Sequence, residues 1–295
     1  MAANDVWTIK RILDWTTGYL ERKGDEHPRL SAEWLLCNAT GLSRVELYIN
    51  FDKPLSRDEL DIMRDGVRRR GAGEPLQYVT GEMPFRHIVL RCEKGVLIPR
   101  PETETLVDAA LEALDRRSND APLALEVGTG TGCIALSLAS EHEGARVIAT
   151  DLSPLAVRLA TRNRDALNLA GVVDVVECDL ASGVPEALMG RFDLLVSNPP
   201  YIPSAVLAHE VPAEVKDHEP GLALDGGADG LDVFRRILAL APQALAPGGT
   251  MCVELFEGNV HPAAELVRKE PGWVSVEVRE DLTHRPRVLV AVREA

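Results

Sequence analysis

The chain has 295 residues and a formal net charge of −14, from 32 lysines and arginines against 46 aspartates and glutamates. Hydrophobic residues make up 45% of it and charged residues 26%, a balance typical of globular proteins that excludes a chain disordered throughout. No run approaches about 18 apolar residues, and no basic segment followed by an apolar run opens the chain, so we expect no membrane span, no secretory signal and a cytoplasmic protein.

The cysteines and histidines are scattered along the chain. None of the five cysteines forms a Cys-x-x-Cys pair, and the seven histidines show no paired spacing. We therefore predict free thiols rather than a disulfide framework, and we assign no metal site. At roughly 150 residues per domain, the length favours two domains.

The first part of the chain is predicted to be helical. Four residues favour helix starts, as N-caps or as prolines of a first turn: Asp5, Pro28, Ser56 and Pro75. Ser56 with Glu59 forms a capping box, and Gly41 and Gly71 end the second and third helices. The sequence thus predicts a small helical bundle over residues 1–83, with no motif of its own for chemistry.

The pattern then changes to that of a β-hairpin. Phe85 to Leu90 and Val96 to Ile98 are predicted to be its strands, joined by a turn around Glu93 to Gly95. Pro101, whose ring suits the first helical position, then opens a helix to about Arg117. We predict a β-hairpin linker at 84–100 and a second domain at 101–295.

Apolar runs and helical patterns alternate through the second domain. The strands are predicted at Leu123–Val127, Arg146–Thr150, Val173–Glu177, Phe192–Ser197, Thr250–Leu255, Val274–Val278 and Arg287–Val292, and the helices at Gly132–Ser140, Pro154–Leu169 and Leu231–Leu245. Such alternation implies βαβ units, and the last two strands read as an antiparallel pair. We predict an α/β domain with a Rossmann-like sheet of about seven strands.

A glycine-rich loop follows the first strand of this sheet. It consists of Gly128, Thr129, Gly130, Thr131 and Gly132. Glycines allow a sharp turn and a close approach to a ligand at a helix N-terminus, and Asp151, at the end of the next strand, can accept ribose hydroxyls. The alternative is a tight turn with a capping aspartate.

The spacing of this loop indicates which nucleoside ligand it suits. Cys133 stands where a dinucleotide-binding loop needs glycine or alanine, so the loop resembles instead the S-adenosylmethionine loop of Rossmann-like methyltransferases. Asp179 and Leu180 then stand where that class contacts the adenine.

A second motif, Asn198-Pro199-Pro200-Tyr201, follows the fourth strand. The Asn198 oxygen and the Pro199 carbonyl can accept the two N–H groups of a planar –NH₂ and favour the positive charge that develops as a methyl arrives. The prolines hold both acceptors rigidly, and Tyr201 can stack on the amide. A simple Asn-Pro turn is the alternative interpretation.

Taken together, the motifs resemble the HemK/PrmC family of protein-(glutamine-N5) methyltransferases. The resemblance is carried by Glu74-Pro75-Leu76-Gln77-Tyr78, Leu97-Ile98-Pro99-Arg100-Pro101-Glu102-Thr103-Glu104, the glycine loop, Asn198-Pro199-Pro200-Tyr201 and Glu219-Pro220-x-x-Ala223-Leu224, and it weakens after Glu254. It implies S-adenosylmethionine as cofactor, S-adenosylhomocysteine as product, and the glutamine of the Gly-Gly-Gln motif in release factors as substrate.

The same resemblance implies roles for particular residues. The glycine loop, Asp151, Asp179, Leu180 and Asn198 are implied to bind the cofactor. Asn198 to Tyr201 are implied to hold the glutamine, with Asn198, Pro199 and Tyr201 catalytic. The helical residues 1–83 are expected to recognise the substrate.

Other activities remain open at this point. A DNA adenine-N6 or cytosine-N4 methyltransferase uses a similar pocket, but residues 86–295 carry 20 basic and 32 acidic residues, which disfavours phosphate contacts and leads us to expect no nucleic-acid partner. A nicotinamide oxidoreductase would need a third glycine that the loop of this chain lacks, and that activity leaves the second motif unexplained. A binding module that retains the pocket without catalysis is the third alternative.

Overall fold

The computed structural model describes residues 6–117, 120–209 and 211–295. The chain divides into two compact units, Met1–Glu82 and Met83–Ala295. Within the described ranges, no helix has both the length and the apolar character that crossing a membrane requires.

The first unit is a bundle of five helices among the described residues. They are α1 (Ile9–Arg22), α2 (Pro28–Thr40), α3 (Arg44–Ile49), α4 (Arg57–Arg70) and α5 (Leu76–Thr80). Their core is aliphatic, with Leu13, Leu36, Leu47 and Met63 almost fully buried. Burial of these side chains is the main force that holds the bundle together.

Two helix starts in this unit differ from the sequence prediction. Helix α1 begins at Ile9, where the Thr8 hydroxyl accepts a hydrogen bond from the Arg11 amide at 3.3 Å; the expected cap, Asp5, lies outside the described residues. Helix α3 was not predicted, because six residues are too few to show a helical period. Its capping box of Ser43 and Glu46 was the available signal.

The β-hairpin of the second unit turns earlier than predicted. Its strands are β1 (Glu82–Phe85) and β2 (Ile88–Arg91), so the predicted strand at 96–98 is wrong. A turn is present at 93–96, where the Val96 amide donates to the Glu93 carbonyl at 3.2 Å, but it follows the hairpin and does not join its strands. Arg86 adopts a left-handed φ of 49° at the turn. Its guanidinium pairs with Glu141 and Asp108, both at 2.7 Å, contacts far along the chain that no local pattern reveals.

The rest of the second unit is a seven-stranded sheet with helices on both faces. Its strands are β3 (Leu123–Val127), β4 (Arg146–Asp151), β5 (Val173–Glu177), β6 (Phe192–Ser197), β7 (Leu245–Glu254), β8 (Trp273–Glu280) and β9 (Pro286–Arg293), in the order β5-β4-β3-β6-β7-β9-β8. Strands β5, β4, β3, β6 and β7 are parallel, and β9 and β8 are antiparallel. The predicted α/β fold is confirmed.

Seven helices of the described chain accompany the sheet. They are α6 (Thr103–Asp115), α7 (Cys133–Glu141), α8 (Pro154–Ala166), α9 (Ser204–His209), α10 (Ala213–His218), α11 (Asp232–Ala244) and α12 (Val260–Lys269). Leu194 and Leu195, neighbours on β6, point into two separate cores on opposite faces. Both faces of the sheet are therefore covered, as in other parallel sheets.

The register of the sheet sets the position of the functional residues. Val127 of β3 pairs with Thr150 of β4 on one side and with Ser197 of β6 on the other, and Ser197 pairs with Val253 of β7. The residue that follows each of these lies at the carboxyl end of its strand. In open α/β sheets this edge, where the strand order reverses, is where ligands bind.

Arg86 gives a stability prediction. Its side chain is 12% exposed and that of Glu141 is 13% exposed, and removing one partner of a buried ion pair costs about 3–5 kcal/mol. We expect Arg86→Ala to lower the free energy of unfolding by about 3 kcal/mol in urea denaturation.

The matched control is Arg162, which pairs with Glu93 at 2.6 Å with both side chains half-exposed. Arg162→Ala should cost less than about 1 kcal/mol, since exposed pairs contribute little. A loss in Arg86→Ala as small as that expected of the control would mean that the Arg86 contacts do not stabilise the hairpin.

Candidate active site

A cavity of about 650 Å³ lies at the carboxyl ends of β3, β4 and β6. Of the predicted site residues, it is lined by Gly128, Thr129, Gly130, Thr131, Asp151, Asp179, Leu180, Asn198 and Pro200, whereas Gly132, Pro199 and Tyr201 lie outside its lining. Its volume falls within the range of about 300–1,000 Å³ that is usual for small-molecule sites. The structure thus brings the two sequence motifs together around one space.

The glycine loop turns in the left-handed region of backbone space. Gly128 has φ 78°, and a Cβ built there would meet no atom within 4 Å, so its backbone faces open cavity. Gly132 has φ 88°, and a Cβ there would meet the Leu136 side chain at 2.9 Å. The first glycine therefore gives a ligand close access to the backbone, and the second lets the loop pack against α7.

Asp151 connects the end of β4 to this loop. Its Oδ2 accepts a hydrogen bond from the Gly130 amide at 2.9 Å, and its Oδ1 accepts one from the Ser153 amide at 2.8 Å. Burial raises the pKa of Asp151, and these amides oppose that rise. Each carboxylate oxygen retains capacity to accept a further donor from a ligand.

Glu126, on β3, supports the loop from within the protein. Its Oε2 accepts hydrogen bonds from the Thr129 hydroxyl at 2.6 Å and the Ala135 amide at 3.2 Å. The side chain is fully buried, and burial raises its pKa to about 7. Glu126 is thus a structural part of the loop to which the sequence analysis assigned no role.

The second motif follows β6, and its side chains lie in different environments. The Asn198 Nδ2 donates to the Thr103 Oγ1 at 3.1 Å. Pro199 is buried, and the Tyr201 hydroxyl donates to the Glu254 Oε1 at 3.2 Å. Asn198 thus lines the cavity, and a hydrogen bond holds its amide. The stacking role of Tyr201 stays a prediction.

Two functional candidates here, Thr103 and Glu254, were missed in the sequence. Glu254 follows Val253, which pairs with Ser197, so the register sets it beside Asn198 at the same edge of the sheet. It is fully buried, and burial raises its pKa to about 7. A carboxylate at the end of an apolar strand was the available signal, as it was for Asp151.

Two ion pairs lie at the edge of the cavity. Asp179 pairs with Arg236 of α11 at 2.7 Å, with both side chains half-exposed. Arg100 pairs at 2.6 Å with Glu219, whose side chain is 2% exposed. The second pair joins two chain segments that both line the cavity, and it gives a structural reason for two motifs noted in the sequence.

Two family models match parts of this chain. Residues 11–81 match the family model described as the PrmC N-terminal domain, and residues 104–215 match the one described as the methyltransferase small domain. A methyltransferase from Pyrococcus furiosus has a similar structure, with a TM-score of 0.50 and 21% sequence identity over 70% of this chain and 89% of that one. The similarity to this solved structure shows the fold alone.

Curated relatives cover nearly the whole chain. A release factor glutamine methyltransferase of Geobacter sulfurreducens is 47% identical over 255 residues, 86% of each chain. One from Chlorobaculum tepidum is 39% identical over 293 residues, 98% of each chain. This chain therefore belongs to the release factor glutamine methyltransferase family.

Proposed function

We propose that this protein transfers the methyl group of S-adenosylmethionine to N5 of the glutamine in the Gly-Gly-Gln motif of peptide-chain release factors. The observation that carries the proposal is the anchored amide of Asn198, which borders the same cavity as the glycine loop. The named relatives support the same activity, and both sequence motifs are accounted for by it.

The residues of the cavity fit S-adenosylmethionine. The open space beside Gly128 accepts a ligand close to the backbone, and Asp151 has lone pairs left for ribose hydroxyls. Asp179 and Leu180 border the same cavity and would contact the adenine. When bound, the cofactor supplies an electrophilic methyl group on a sulfonium and is released as S-adenosylhomocysteine.

The second motif would hold the target amide. An amide nitrogen is a poor nucleophile because its lone pair is delocalised, so positioning and charge stabilisation have to lower the barrier. The Asn198 oxygen and the Pro199 carbonyl each accept one N–H of the glutamine, which orients the nitrogen and favours its developing positive charge. Water can take the proton afterwards, because the alkylated nitrogen is strongly acidic.

The remaining assignments follow from this activity. We propose that the helical residues 1–83 recognise the release factor, that residues 101–295 carry the chemistry, and that the protein acts in the cytoplasm. A DNA methyltransferase is the second candidate because it also needs acceptors for a planar –NH₂. The net charge of −14 disfavours it, since most of the affinity for a duplex comes from phosphate neutralisation.

The first prediction from this proposed function concerns the cofactor. Asp151→Ala should weaken S-adenosylmethionine binding by about 1.5–3 kcal/mol, the contribution of a hydrogen bond to a charged group. Isothermal titration calorimetry measures the change. Asp174→Ala, an exposed position on β5 outside the cavity lining, is the control and should bind normally. Unchanged affinity in Asp151→Ala would refute the ribose contact.

The second prediction separates binding from catalysis. Asn198→Ala removes one preorganised acceptor, which should lower kcat by about 10²–10³-fold while S-adenosylhomocysteine still binds. Asn198→Asp keeps the size and an acceptor, so we expect a rate between those of alanine and wild type. If Asn198→Ala methylates release factor at the wild-type rate, Asn198 is only a turn residue.

The third prediction concerns the substrate. Labelled methyl from S-adenosylmethionine should appear on the glutamine side chain of a Gly-Gly-Gln release factor, and Gln→Glu in that motif should abolish labelling. Duplex DNA should show no measurable binding in fluorescence anisotropy at physiological salt, for the charge reason given above. Methyl transfer into DNA that competes with transfer into protein would favour the second candidate.

A further inference from the structure

The second motif lacks backbone donors at its two central positions. Pro199 and Pro200 carry no N–H group, so neither can donate a main-chain hydrogen bond. Their rings fix φ at both positions, and Pro200 restricts Pro199 to extended geometry. Groups elsewhere in the unit therefore have to hold the main chain of the motif in place.

Asn259, at the start of α12, supplies such a group. Its side-chain Nδ2 donates to the Tyr201 carbonyl oxygen at 3.0 Å and to the Gly230 carbonyl oxygen at 3.4 Å. The residue is only 5% exposed. Because carbonyl oxygens can only accept, the nitrogen end of the amide has to face both of them. One buried amide thus joins the last residue of the second motif to a glycine-rich segment.

This glycine-rich segment, residues 226–230, lies directly against the motif. A Cβ built at Gly226 would meet the Pro200 oxygen and the Tyr201 Cα, both at 2.8 Å. A Cβ built at Gly230, which has φ 76°, would meet the Tyr201 oxygen at even closer range. Only residues without a side chain allow the two stretches of backbone to approach so closely. Gly226 also lines the cavity, so the segment borders the site that it supports.

Main-chain hydrogen bonds extend this contact beyond the motif. The Ile202 amide donates to the Leu224 carbonyl at 3.0 Å, and the Gly226 amide donates to the Ile202 carbonyl at 2.9 Å. Ile202 and Asp225 accordingly form a short parallel bridge. The contact is therefore a short stretch of paired backbone, and the Asn259 amide lies beside it.

We infer that Asn259 is a positioning residue that holds the main chain of the second motif, and with it the Pro199 carbonyl, in the orientation that the target amide needs. The inference rests on the proposed function, in which that carbonyl accepts one N–H of the glutamine. Asn259 lies outside the cavity lining, so it acts through Tyr201. The Pro200 ring fixes φ between the two carbonyls, and Gly226 limits the peptide that follows. Holding the Tyr201 carbonyl therefore also restricts the direction of the Pro199 carbonyl.

The first experiment removes the amide donor, in full-length protein with a Gly-Gly-Gln release factor as substrate. Asn259→Leu keeps the branched shape of the side chain and adds no charge. It should lower kcat about tenfold, the effect of one hydrogen bond, and leave KM for S-adenosylmethionine unchanged. The matched control is Gln243→Leu, which removes an exposed amide that donates to the Ala239 carbonyl at 3.2 Å and should keep the wild-type kcat. A wild-type kcat in Asn259→Leu would overturn the inference.

The second experiment disturbs the same contact and leaves the Asn259 amide in place. Gly226→Ala sets a methyl group against the Pro200 oxygen and the Tyr201 Cα, and it adds no backbone strain because Gly226 has no left-handed φ. Displacing the motif in this way should lower kcat about tenfold or more. The control is Gly171→Ala, where the added Cβ would meet no atom within 4 Å and kcat should stay at the wild-type value. A wild-type kcat in Gly226→Ala would contradict the contact on which the inference depends.

A measurement without turnover separates this inference from the proposed function. The backbone amides of Ile202 and Gly226 are hydrogen-bonded across the contact, so both should exchange faster with solvent in Asn259→Leu than in Gln243→Leu when followed by NMR. The Val147 amide, hydrogen-bonded on β4, should exchange equally in the two variants. Equal exchange at Ile202 and Gly226, or faster exchange at all three amides, would refute a role of Asn259 confined to the motif. Wild-type protein that fails to methylate the release factor would refute the proposed function, and the exchange comparison would still test the anchoring.

Discussion

The in-register pairing of four parallel strands is the constraint on which the site depends. Thr150, Val127, Ser197 and Val253 lie in one row across β4, β3, β6 and β7. The next residue along each strand is a candidate site residue or its neighbour: Asp151, Gly128, Asn198 and Glu254. A shift of one residue in any of these strands would move its residue out of the row and turn its side chains to the opposite face of the sheet.

Buried carboxylates organise this edge of the sheet. Glu126 supports the glycine loop, and Asp151 accepts a hydrogen bond from the loop amide of Gly130. Glu254 accepts a hydrogen bond from the tyrosine hydroxyl of the second motif. Burying a carboxyl group is costly, and hydrogen bonds or protonation have to offset the cost. Burial raises the pKa of all three carboxyl groups, and their hydrogen bonds oppose the rise; such shifted values are common at functional sites.

Long-range ion pairs hold the segments that close the cavity. Arg86 anchors the hairpin to α6 and α7 through Asp108 and Glu141, and Arg100 reaches Glu219, more than a hundred residues along the chain. The short segment between these two arginines contributes Val96 and Leu97 to the cavity. Residues 83–100, which include most of the hairpin, lie in the unit that carries the site.

The sequence by itself determined the fold class and the family, and it predicted which residues surround the cavity. Alternating strands and helices, the glycine loop and Asn198-Pro199-Pro200-Tyr201 are local patterns whose meaning depends on residues close together in the chain. Tertiary structure alone decided the rest. The hairpin turn depends on partners of Arg86 distant in sequence, and the anchoring of Asn198 depends on Thr103, which comes from another element. Strand register brings such residues together, and register is a property of the whole sheet that no single segment encodes.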